Sequence, residues 1–542
     1  MAKSRTPVRN SKALASTKTK SGKKWTIMVY MAGDNNLAED MITGLKGMKG
    51  LMGHPDINLV ALYDSNYPPV PVKIYEFSKQ GTGGTRAQDL KLSYYESPLT
   101  PNPSPSNPLR ESYWIKKFVP LVTRNFPADK YALILSGHSD GVIGKTLLRD
   151  ENPSVVLDLQ KLRKILYSAR PRGLNGKKKK FDLLGFDGCL MSMVEIGYEL
   201  RNVANVVVAS EGNIPTTGWP YDSVLADLIA APTMDERHFG KYIVERYAKY
   251  NLDYCISGRS IDISAVDLSK VRALAAAVHR FGKLVYDLLN LIPFQNEQLT
   301  DPKTDERRMI REHFIDSLVL AHYRSQTFMH NQAVDLVDFM INLIIQSFKR
   351  LIEQKKLYAQ LNGGVSKRIR GRTNALLDQF LKIIKLLYDD QNDDNYIISS
   401  CATGSEYQFS TGTSIFFPWT DIALEMIYGK YADLDFNQNT RWLDLIKKRL
   451  DLTLRSGASS FTSVRAAATQ KMAIGGVNIT LDMLIQKMKN LDFSLYSELG
   501  HREHGGKEHG GKEHGGKGEI DSFYTYFSGF QNYDPEFFDK TC

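Results

Sequence analysis

The sequence predicts an α/β protein with a doubly wound, mostly parallel sheet and a largely helical region after it. Between residues 25 and 210, short runs of β-branched and aromatic residues alternate with segments of helical periodicity. Most of these runs lack polar alternation, as expected of parallel strands that are buried on both faces. From about residue 233 to 455 the pattern becomes mostly helical. Together these observations indicate a sheet-based domain with a helical C-terminal part.

Five strands are predicted in this first part, and each is followed by small or acidic residues. They are WTIMVYM (25–31), INLVALY (57–63), YALILSG (131–137), FDLLGF (181–186) and NVVVAS (205–210). Apolar spacing of three and four residues predicts helices over 111–126, 158–169, 191–201, 267–291 and 332–361. One more strand-like run, GTSIFFPW, occurs late, at 412–419. In such sheets, ligands bind at the carboxyl ends of the strands.

Composition and charge exclude several classes of protein. The 542 residues are 42% hydrophobic and 24% charged, which excludes collagen-like, coiled-coil and wholly disordered chains. The net charge is +10, but residues 1–24 carry eight basic side chains and no acid. The remaining chain therefore carries about +2, so most of the excess positive charge lies in the N-terminal tail. We therefore expect no specific nucleic-acid binding by the rest of the chain.

The same patterns divide the chain into six predicted segments. They are a disordered basic tail (1–24), an α/β domain (25–232), a mostly helical C-terminal domain (233–455), a helical extension (456–500), an EHGGK-repeat linker (501–519) and an aromatic-rich tail (520–542).

Targeting signals and cysteine usage predict a cytoplasmic protein. The basic N-terminus has no apolar stretch of signal-peptide length behind it, and no run of about 18 uncharged apolar residues occurs. The four cysteines form no CxxC pair, which argues against a disulfide framework and against a cysteine-rich zinc site. We therefore expect neither a metal site nor membrane insertion.

His138 and Cys189 are the principal candidates for catalysis. Each comes just after a predicted strand, and 51 positions separate them, close to the spacing of about 50 residues in caspases. Nucleophilic catalysis at a carbonyl needs a thiolate and a nearby imidazole that moves protons. Because neighbouring parallel strands end at one edge of a sheet, the two side chains are expected to meet there. The alternative is that Cys189 is a small core residue and His138 a surface residue.

Asp187 lies two residues before Cys189, at the same edge of the predicted sheet. A carboxylate at this place can pair with the Arg or Lys side chain of a substrate. It can equally be a turn residue, because Asp-Gly is common in turns. The residues by themselves leave both interpretations open.

A rival motif is GHSDG (137–141), which matches the G-x-S-x-G nucleophile elbow of α/β-hydrolases with Ser139 as the nucleophile. The elbow requires a helix directly after the serine. The segment that follows is short and ends at Pro153, and no later histidine lies in an obvious loop. A serine hydrolase is thus an alternative with weaker support.

Several motifs together resemble the clostripain family of cysteine peptidases, relatives of caspases and gingipains. They are WTIMVYMAGDNNL, LSGHSDG, LLGFDGCLMSMVEIGYEL, VASEGNIPTTGWPYD, AVDLSKV, AVDLVDF and GTSIFFPW, which cover roughly residues 25–450. The resemblance implies a caspase-like α/β/α sandwich and hydrolysis of peptide bonds after basic residues.

Carried over residue by residue, the resemblance makes His138 the catalytic histidine, Cys189 the nucleophile and Asp187 the acid that selects a basic P1 side chain. The backbone N–H groups of Ser139 and Cys189 would bind the oxyanion. This chain has Ser139 where many members have Gly. It also has Thr216 and Thr217 where many members carry an acid. Glu211 could supply the negative charge that the S1 pocket would otherwise lack.

The resemblance also implies regulation. Relatives are often zymogens that are cleaved between the histidine and the cysteine, which here makes Arg149 and the run Lys177, Lys178, Lys179 and Lys180 candidate processing sites. An activating protease is therefore a candidate partner. No cofactor is expected to be required. Some members use calcium, but no EF-hand-like loop is visible here.

The sequence as a whole therefore predicts an intracellular cysteine endopeptidase with a Cys189–His138 dyad. Its substrates would be proteins or peptides with Arg or Lys at P1, and its role that of a controlled effector in cell death or defence. The alternatives are the serine hydrolase and an inactive caspase-like scaffold that binds protein partners.

Overall fold

The fold was examined in a computed structural model. It describes residues 23–49, 53–65, 72–77, 93–96, 110–142, 147–151, 154–173, 176–292, 300–329, 331–354, 356, 358, 364–388 and 394–455.

The described chain contains a large central sheet and two small ones. The strands are Lys23–Gly33 (β1), Ile57–Ser65 (β2), Lys73–Glu76 (β3), Ser93–Glu96 (β4), Ala128–Ser136 (β5), Leu147–Glu151 (β6), Ser154–Leu157 (β7), Phe181–Asp187 (β8), Ala204–Ala209 (β9), Ile261–Asp267 (β10), Thr327–Phe328 (β11), Ala333–Asp335 (β12), Ile397–Thr403 (β13) and Ser414–Phe416 (β14). The large sheet has the order β13-β10-β9-β8-β5-β1-β2-β3-β4. The small sheets are β11-β12-β14 and β6-β7.

Helices cover both faces of the large sheet. Their bounds are Ala38–Lys49 (α1), Arg110–Asn125 (α2), Leu159–Ala169 (α3), Val194–Leu200 (α4), Tyr221–Val224 (α5), Ala226–Ala230 (α6), Glu236–Tyr250 (α7), Leu252–Ile256 (α8), Val271–Leu289 (α9), Pro302–Arg324 (α10), Leu336–Glu353 (α11), Gly364–Leu387 (α12), Asp421–Ala432 (α13), Asp435–Thr440 (α14) and Trp442–Arg455 (α15).

The five middle strands of the large sheet, from β9 to β2, are parallel, and antiparallel strands flank them on both sides. Successive residues of β1 point to opposite faces. Ile27 and Val29 belong to the core beneath α1, α5 and α7, whereas Met28 and Tyr30 belong to the core that includes α2, α3, α4 and α9. The result is a three-layer α/β/α sandwich with two hydrophobic cores, as the sequence predicts.

The five predicted strands of the first part are confirmed, and each is buried on both faces because both cores use it. The antiparallel flanks were not predicted. The large sheet also crosses the predicted domain boundary at residue 232, because β10 and β13 from the helical region join it next to β9. Strand β1 begins at Lys23, so the last two residues of the predicted tail are part of the sheet. The predicted segments after residue 455 lie outside the described residues.

Local sequence accounts for several helix boundaries. Helix α3 begins after Asp158, whose carboxylate accepts a hydrogen bond from the backbone N–H of Lys161. Asp235 caps α7 in the same way through His238 N–H. In the part of the chain that the structure covers, no helix combines the length and the apolar character needed to cross a membrane.

Candidate active site

A cleft lies at the carboxyl ends of β5 and β8, where the register pairs Ser136 with Asp187. Its empty volume is about 510 Å³, including space open to solvent. Because the two strands are parallel neighbours, the residues that follow them reach the same edge of the sheet, as the sequence predicts. The lining residues are Met31, Leu37, Met41, Gly44, Ser136, Gly137, His138, Asp187, Gly188, Cys189, Ile214, Pro215, Thr216, Thr217, Gly218 and Tyr221.

Cys189 is partly buried in this cleft. Its Sγ accepts a hydrogen bond from the backbone N–H of Ile214 at 3.5 Å. Burial raises the pKa of the Cys189 thiol, and the Ile214 N–H offsets only part of that shift. The thiol is therefore protonated near neutral pH, and a base must remove its proton before it can act as a nucleophile.

His138 lies in the same cleft and is held by a neighbouring loop. Its Nε2 is 2.6 Å from Oδ1 of Asn36, which follows strand β1. An amide oxygen only accepts hydrogen bonds, so Nε2 carries the ring proton in this contact. This contact fixes the orientation of the imidazole in the cleft.

Asp187 is the last residue of β8 and forms part of the cleft wall, although its side chain is nearly buried. Its Oδ2 accepts hydrogen bonds from Ser136 Oγ at 2.8 Å and from the Tyr221 hydroxyl at 2.9 Å. Its Oδ1 accepts one from Trp219 N–H at 2.9 Å. Burial raises the pKa of Asp187 to about 6, although these hydrogen bonds oppose the shift. All three donors are neutral, so the carboxylate has no hydrogen-bonded cation in the described structure.

At this end of the sheet, the backbone at two glycines passes very close to neighbouring atoms. Gly218 has φ +67°, and a Cβ there would lie 2.8 Å from both carboxylate oxygens of Asp187. A Cβ on Gly188 would lie 2.5 Å from the carbonyl oxygen of Gly137. Glycine at both positions therefore allows the two loops to pack against the residues that end β5 and β8.

Glu211 does not line the cleft, contrary to the prediction that it contributes to an S1 pocket. It is almost fully buried, and its Oε1 accepts a hydrogen bond from Gly412 N–H at 2.7 Å. Burial, together with the carboxyls of Asp335 and Asp262, raises the pKa of Glu211 well above its usual value. Position 211 is the second residue after β9, and the carboxyls of Asp262 in β10 and Asp335 in β12 lie near its side chain. The hydrogen bond from Gly412 therefore links the loop after β9 to a segment far along the chain.

Thr216 and Thr217 do line the cleft, at the positions where the predicted pocket has one acid fewer than in many relatives.

Sequence reasoning did not find the hydrogen-bond partners of the candidate residues, namely Asn36, Ser136 and Tyr221. Ser136 lies near the end of one predicted strand, and Asn36 lies in the AGDNN run that follows another, which was a usable signal. Tyr221 comes from a distant short helix, and no local pattern identifies it.

The interpretation of GHSDG as a nucleophile elbow is wrong, because the described structure does not have the strand–serine–helix arrangement that this motif requires. The Ser139 hydroxyl donates to the carbonyl oxygen of Cys189 at 2.6 Å, so it is engaged with backbone. The next described element of regular structure is strand β6, and the next helix begins only at Leu159. An elbow serine needs a helix immediately after it to expose the hydroxyl.

The candidate processing residues lie in two places, and none of them lines the cleft. Arg149 is in strand β6, which pairs with β7. Lys177 and Lys178 are exposed between α3 and β8, whereas Lys179 and Lys180 are partly buried. Lys179 forms an ion pair with Asp182 at 2.8 Å. Within the described ranges, no group of three or more histidine, cysteine or acidic side chains is arranged to hold a metal ion.

A three-layer α/β/α sandwich that brings a cysteine and a histidine from adjacent parallel strands to one cleft is the architecture of caspase-like cysteine peptidases. The chain belongs to the clostripain family of C11 cysteine peptidases, whose sequence profile matches residues 29–449.

One curated protein and several solved structures are similar to this chain. Clostripain from Hathewaya histolytica is 29% identical over 238 residues, which is 40% of this chain and 45% of that protein. The match thus spans a little under half the length of this curated relative. The crystal structure of an inactive zymogen C11 protease from Parabacteroides distasonis has a TM-score of 0.50 at 17% identity, and covers 78% of this chain and 99% of its own. A secreted C11 cysteine protease from Bacteroides thetaiotaomicron, bound to an irreversible peptide inhibitor, has a TM-score of 0.49 at 19% identity, with 77% and 99% covered.

Proposed function

We propose that this chain is a cysteine endopeptidase that cleaves peptide bonds after basic residues, with Cys189 as nucleophile and His138 as general base and acid. The observation that carries the proposal is the position of Cys189, His138 and the buried carboxylate of Asp187 in one cleft. Each side chain comes from the end of a parallel strand, so their separation is set by the sheet.

The chemistry follows from these positions. His138 removes the thiol proton, and the thiolate attacks the carbonyl carbon of the scissile bond. The protonated imidazole then gives its proton to the leaving amine, and an acyl-enzyme remains on Cys189. Water, deprotonated by the same imidazole, hydrolyses the thioester and restores the thiol.

The oxyanion formed in each step needs fixed donors. The proposed ones are the backbone N–H groups of Ser139 and Cys189. In support of this assignment, the Ser139 hydroxyl bonds to the Cys189 carbonyl and so ties the loop after β5 to the loop after β8. Serine at position 139 supplies a link that glycine, common in relatives, does not offer.

Asp187 gives the proposal its substrate class. A buried carboxylate with only neutral hydrogen-bond donors is stabilised when a substrate brings a cation. A lysine or arginine at P1 would supply that cation. With Thr216 and Thr217 on the cleft wall and Glu211 buried elsewhere, Asp187 is the acid on which basic specificity depends.

Activation by cleavage between His138 and Cys189 is part of the proposal. Among the candidate residues, the exposed side chains of Lys177 and Lys178 favour the segment before β8 over Lys179 and Lys180. The Parabacteroides distasonis relative is described as an inactive zymogen. Three points stay predictions: a requirement for calcium, a cytoplasmic location and an effector role in cell death or defence. Assays with a chelator would test the first, and cell fractionation would test the second.

Asn36 has a positioning role in this mechanism, because its Oδ1 holds the imidazole through Nε2. General acid–base catalysis contributes about a hundredfold or more, and Asn36→Ala should lose about tenfold in kcat because the imidazole loses the contact that orients Nε2. KM should change little, because Asn36 does not line the cleft. Asn36→Asp, whose oxygen still accepts from Nε2, should recover most of the rate. An unchanged kcat for Asn36→Ala would exclude this role.

A panel of fluorogenic peptides that differ only at P1 tests the proposed function. The purified chain is assayed before and after limited digestion by a trypsin-like protease, which is then inhibited. We expect hydrolysis of the Arg and Lys peptides to be at least about tenfold faster than that of Ala or Asp peptides, because a charge-assisted hydrogen bond contributes a rate difference of that size. Intact mass before and after digestion locates the processing site. Absence of turnover in both states, with and without calcium, would favour the inactive scaffold.

A further inference from the structure

The loop that follows strand β9, residues 210–214 (the β9 loop), is hydrogen-bonded to the segment that carries the nucleophile. Ile214 N–H donates to Cys189 Sγ at 3.5 Å. One residue after the nucleophile, Leu190 N–H donates to the carbonyl oxygen of Gly212 at 3.0 Å. Leu190 has φ +64°, in the left-handed region that a leucine rarely adopts. The bond to Gly212 therefore helps to hold the backbone beside the nucleophile in an unfavourable conformation.

Two side chains from other elements hold the β9 loop. The carboxyl group of Asp262, in β10, accepts from Glu211 N–H at 2.5 Å on Oδ2 and from Gly212 N–H at 2.9 Å on Oδ1. The hydroxyl of Tyr407, which follows β13, accepts from Asn213 N–H at 2.8 Å. A Cβ on Gly212 would collide with the Tyr407 ring, so the loop also packs closely against that ring. Both side chains are buried.

Four successive backbone N–H groups of the β9 loop thus have partners. Those of residues 211 and 212 bond to Asp262, that of residue 213 to Tyr407 and that of Ile214 to the sulfur of Cys189. Each peptide group is planar, so three fixed N–H groups leave the direction of the fourth little freedom. An N–H that points at the sulfur stabilises the thiolate more than the thiol, and it lowers the pKa of Cys189.

We propose that Asp262 and Tyr407 are positioning residues for the nucleophile, which hold the β9 loop so that Ile214 N–H stabilises the thiolate of Cys189. The proposal rests on the proposed peptidase function and deepens it, because that function names a nucleophile and a base but no residue that holds the donor to the sulfur. Neither Asp262 nor Tyr407 lines the cleft, so both act through the loop.

Charge and position have opposite effects on the thiol. Besides burial, which raises the pKa of Cys189 most, the titratable groups around the thiol are His138, Asp140, Asp187 and Asp262. The negative charge of Asp262 raises the pKa of the thiol, whereas its hold on the loop lowers it through Ile214 N–H. Burial also raises the pKa of Tyr407, so its hydroxyl is neutral and acts only through the loop.

The test measures how fast iodoacetamide alkylates Cys189 in the full chain as the pH is varied, with mass spectrometry of the peptide that contains this residue. Only the thiolate reacts, so the midpoint of the rate against pH reports the thiol pKa. Tyr407→Phe should move the midpoint to higher pH and slow alkylation at pH 7 about threefold, as expected from one neutral hydrogen bond. Asp262→Asn should move it in the same direction, because an amide has only one acceptor oxygen for two N–H groups.

Asp182→Asn is the matched control. Asp182 is a buried aspartate whose carboxylate also accepts from a backbone N–H, that of Tyr131 at 2.8 Å, but it lies at the start of β8, at the other end of the strand from the cleft. The midpoint should be unchanged in this variant. Unfolding would expose the thiol and bring its pKa down to the ordinary value, so a variant that fails to fold cannot imitate the expected rise.

The outcomes separate the two proposals. An unchanged midpoint in Tyr407→Phe would overturn the role of Tyr407. A lower midpoint in Asp262→Asn, with folding confirmed by circular dichroism, would mean that Asp262 acts only through its charge and would overturn its positioning role. Because alkylation needs no peptide substrate, the expected shifts in a chain that hydrolyses no peptide would overturn the peptidase function and leave the positioning of the sulfur standing.

Discussion

Cys189→Ala should lower kcat/KM on basic P1 peptides by at least about a thousandfold, because removal of a nucleophile eliminates the covalent pathway. His138→Ala should have an effect of similar size, since the buried thiol has a raised pKa and depends on a base to lose its proton. The measurement is initial rates on a P1-Lys fluorogenic peptide, with protein that has been proteolytically activated and its folding checked by circular dichroism.

Ser139→Ala provides the comparison for the cysteine variant. The Ser139 hydroxyl donates to the Cys189 carbonyl, so its loss should loosen the loop and cost about tenfold, in keeping with one lost hydrogen bond. A serine hydrolase would behave in the opposite way, with Ser139→Ala inactive and Cys189→Ala fully active. That result would exclude the cysteine mechanism.

Asp187→Asn should abolish the preference for basic peptides. The substitution keeps the size of the side chain but removes the negative charge that a P1 cation would meet in a buried pocket. Loss of one partner of a buried, hydrogen-bonded charge pair costs about 2–5 kcal/mol, so kcat/KM for the lysine peptide should fall about thirtyfold or more. Hydrolysis of a neutral P1 peptide should change much less. The ratio of the two rates on one preparation is the measurement.

The pH dependence of that ratio is a second readout of Asp187. Its pKa is raised to about 6 by burial, so the charged form dominates above pH 6 and the neutral form below it. The ratio of basic to neutral peptide hydrolysis in the wild type should therefore fall as the pH is lowered through about 6. In Asp187→Asn this ratio should be independent of pH, because effects of pH on the reaction step itself are common to both peptides.

Glu211→Gln is the matched control for Asp187→Asn. Glu211 is buried away from the cleft and burial raises its pKa well above its usual value, so a neutral amide of the same shape replaces a carboxyl whose neutral form is favoured. The preference for basic peptides should be retained. A loss of specificity in Glu211→Gln equal to that in Asp187→Asn would mean that Glu211 contributes to the pocket after all.

Strand periodicity and strand-end chemistry were sufficient to predict the central part of the fold and the cleft. The apolar runs at 131–137 and 181–186 predict parallel neighbours, and β5 and β8 are paired in parallel. His138 and Cys189 therefore meet at one edge, because each follows such a strand. The antiparallel strands β10 and β13 were missed, because their segments lie among helices and their places in the sheet depend on contacts far along the chain.

Side-chain direction beyond the strand ends was not predictable in the same way. Asp187 and Glu211 both lie at or just after a parallel strand, and both were predicted to face the S1 pocket. Asp187 lines the cleft, whereas Glu211 bonds to Gly412, a residue 201 positions later. No local pattern distinguishes these two acids, because the difference comes from the segments that pack against them.

The amino-acid sequence by itself determined the α/β class, the strands that end at the cleft and the candidate pair His138 and Cys189. These follow from local periodicity, which acts over a few residues. Only the tertiary structure decided that Asn36 holds the imidazole and that Ser136 and Tyr221 donate to one oxygen of Asp187. Those contacts join residues from 34 to 102 positions apart, and their geometry is set by the packing of whole strands and helices.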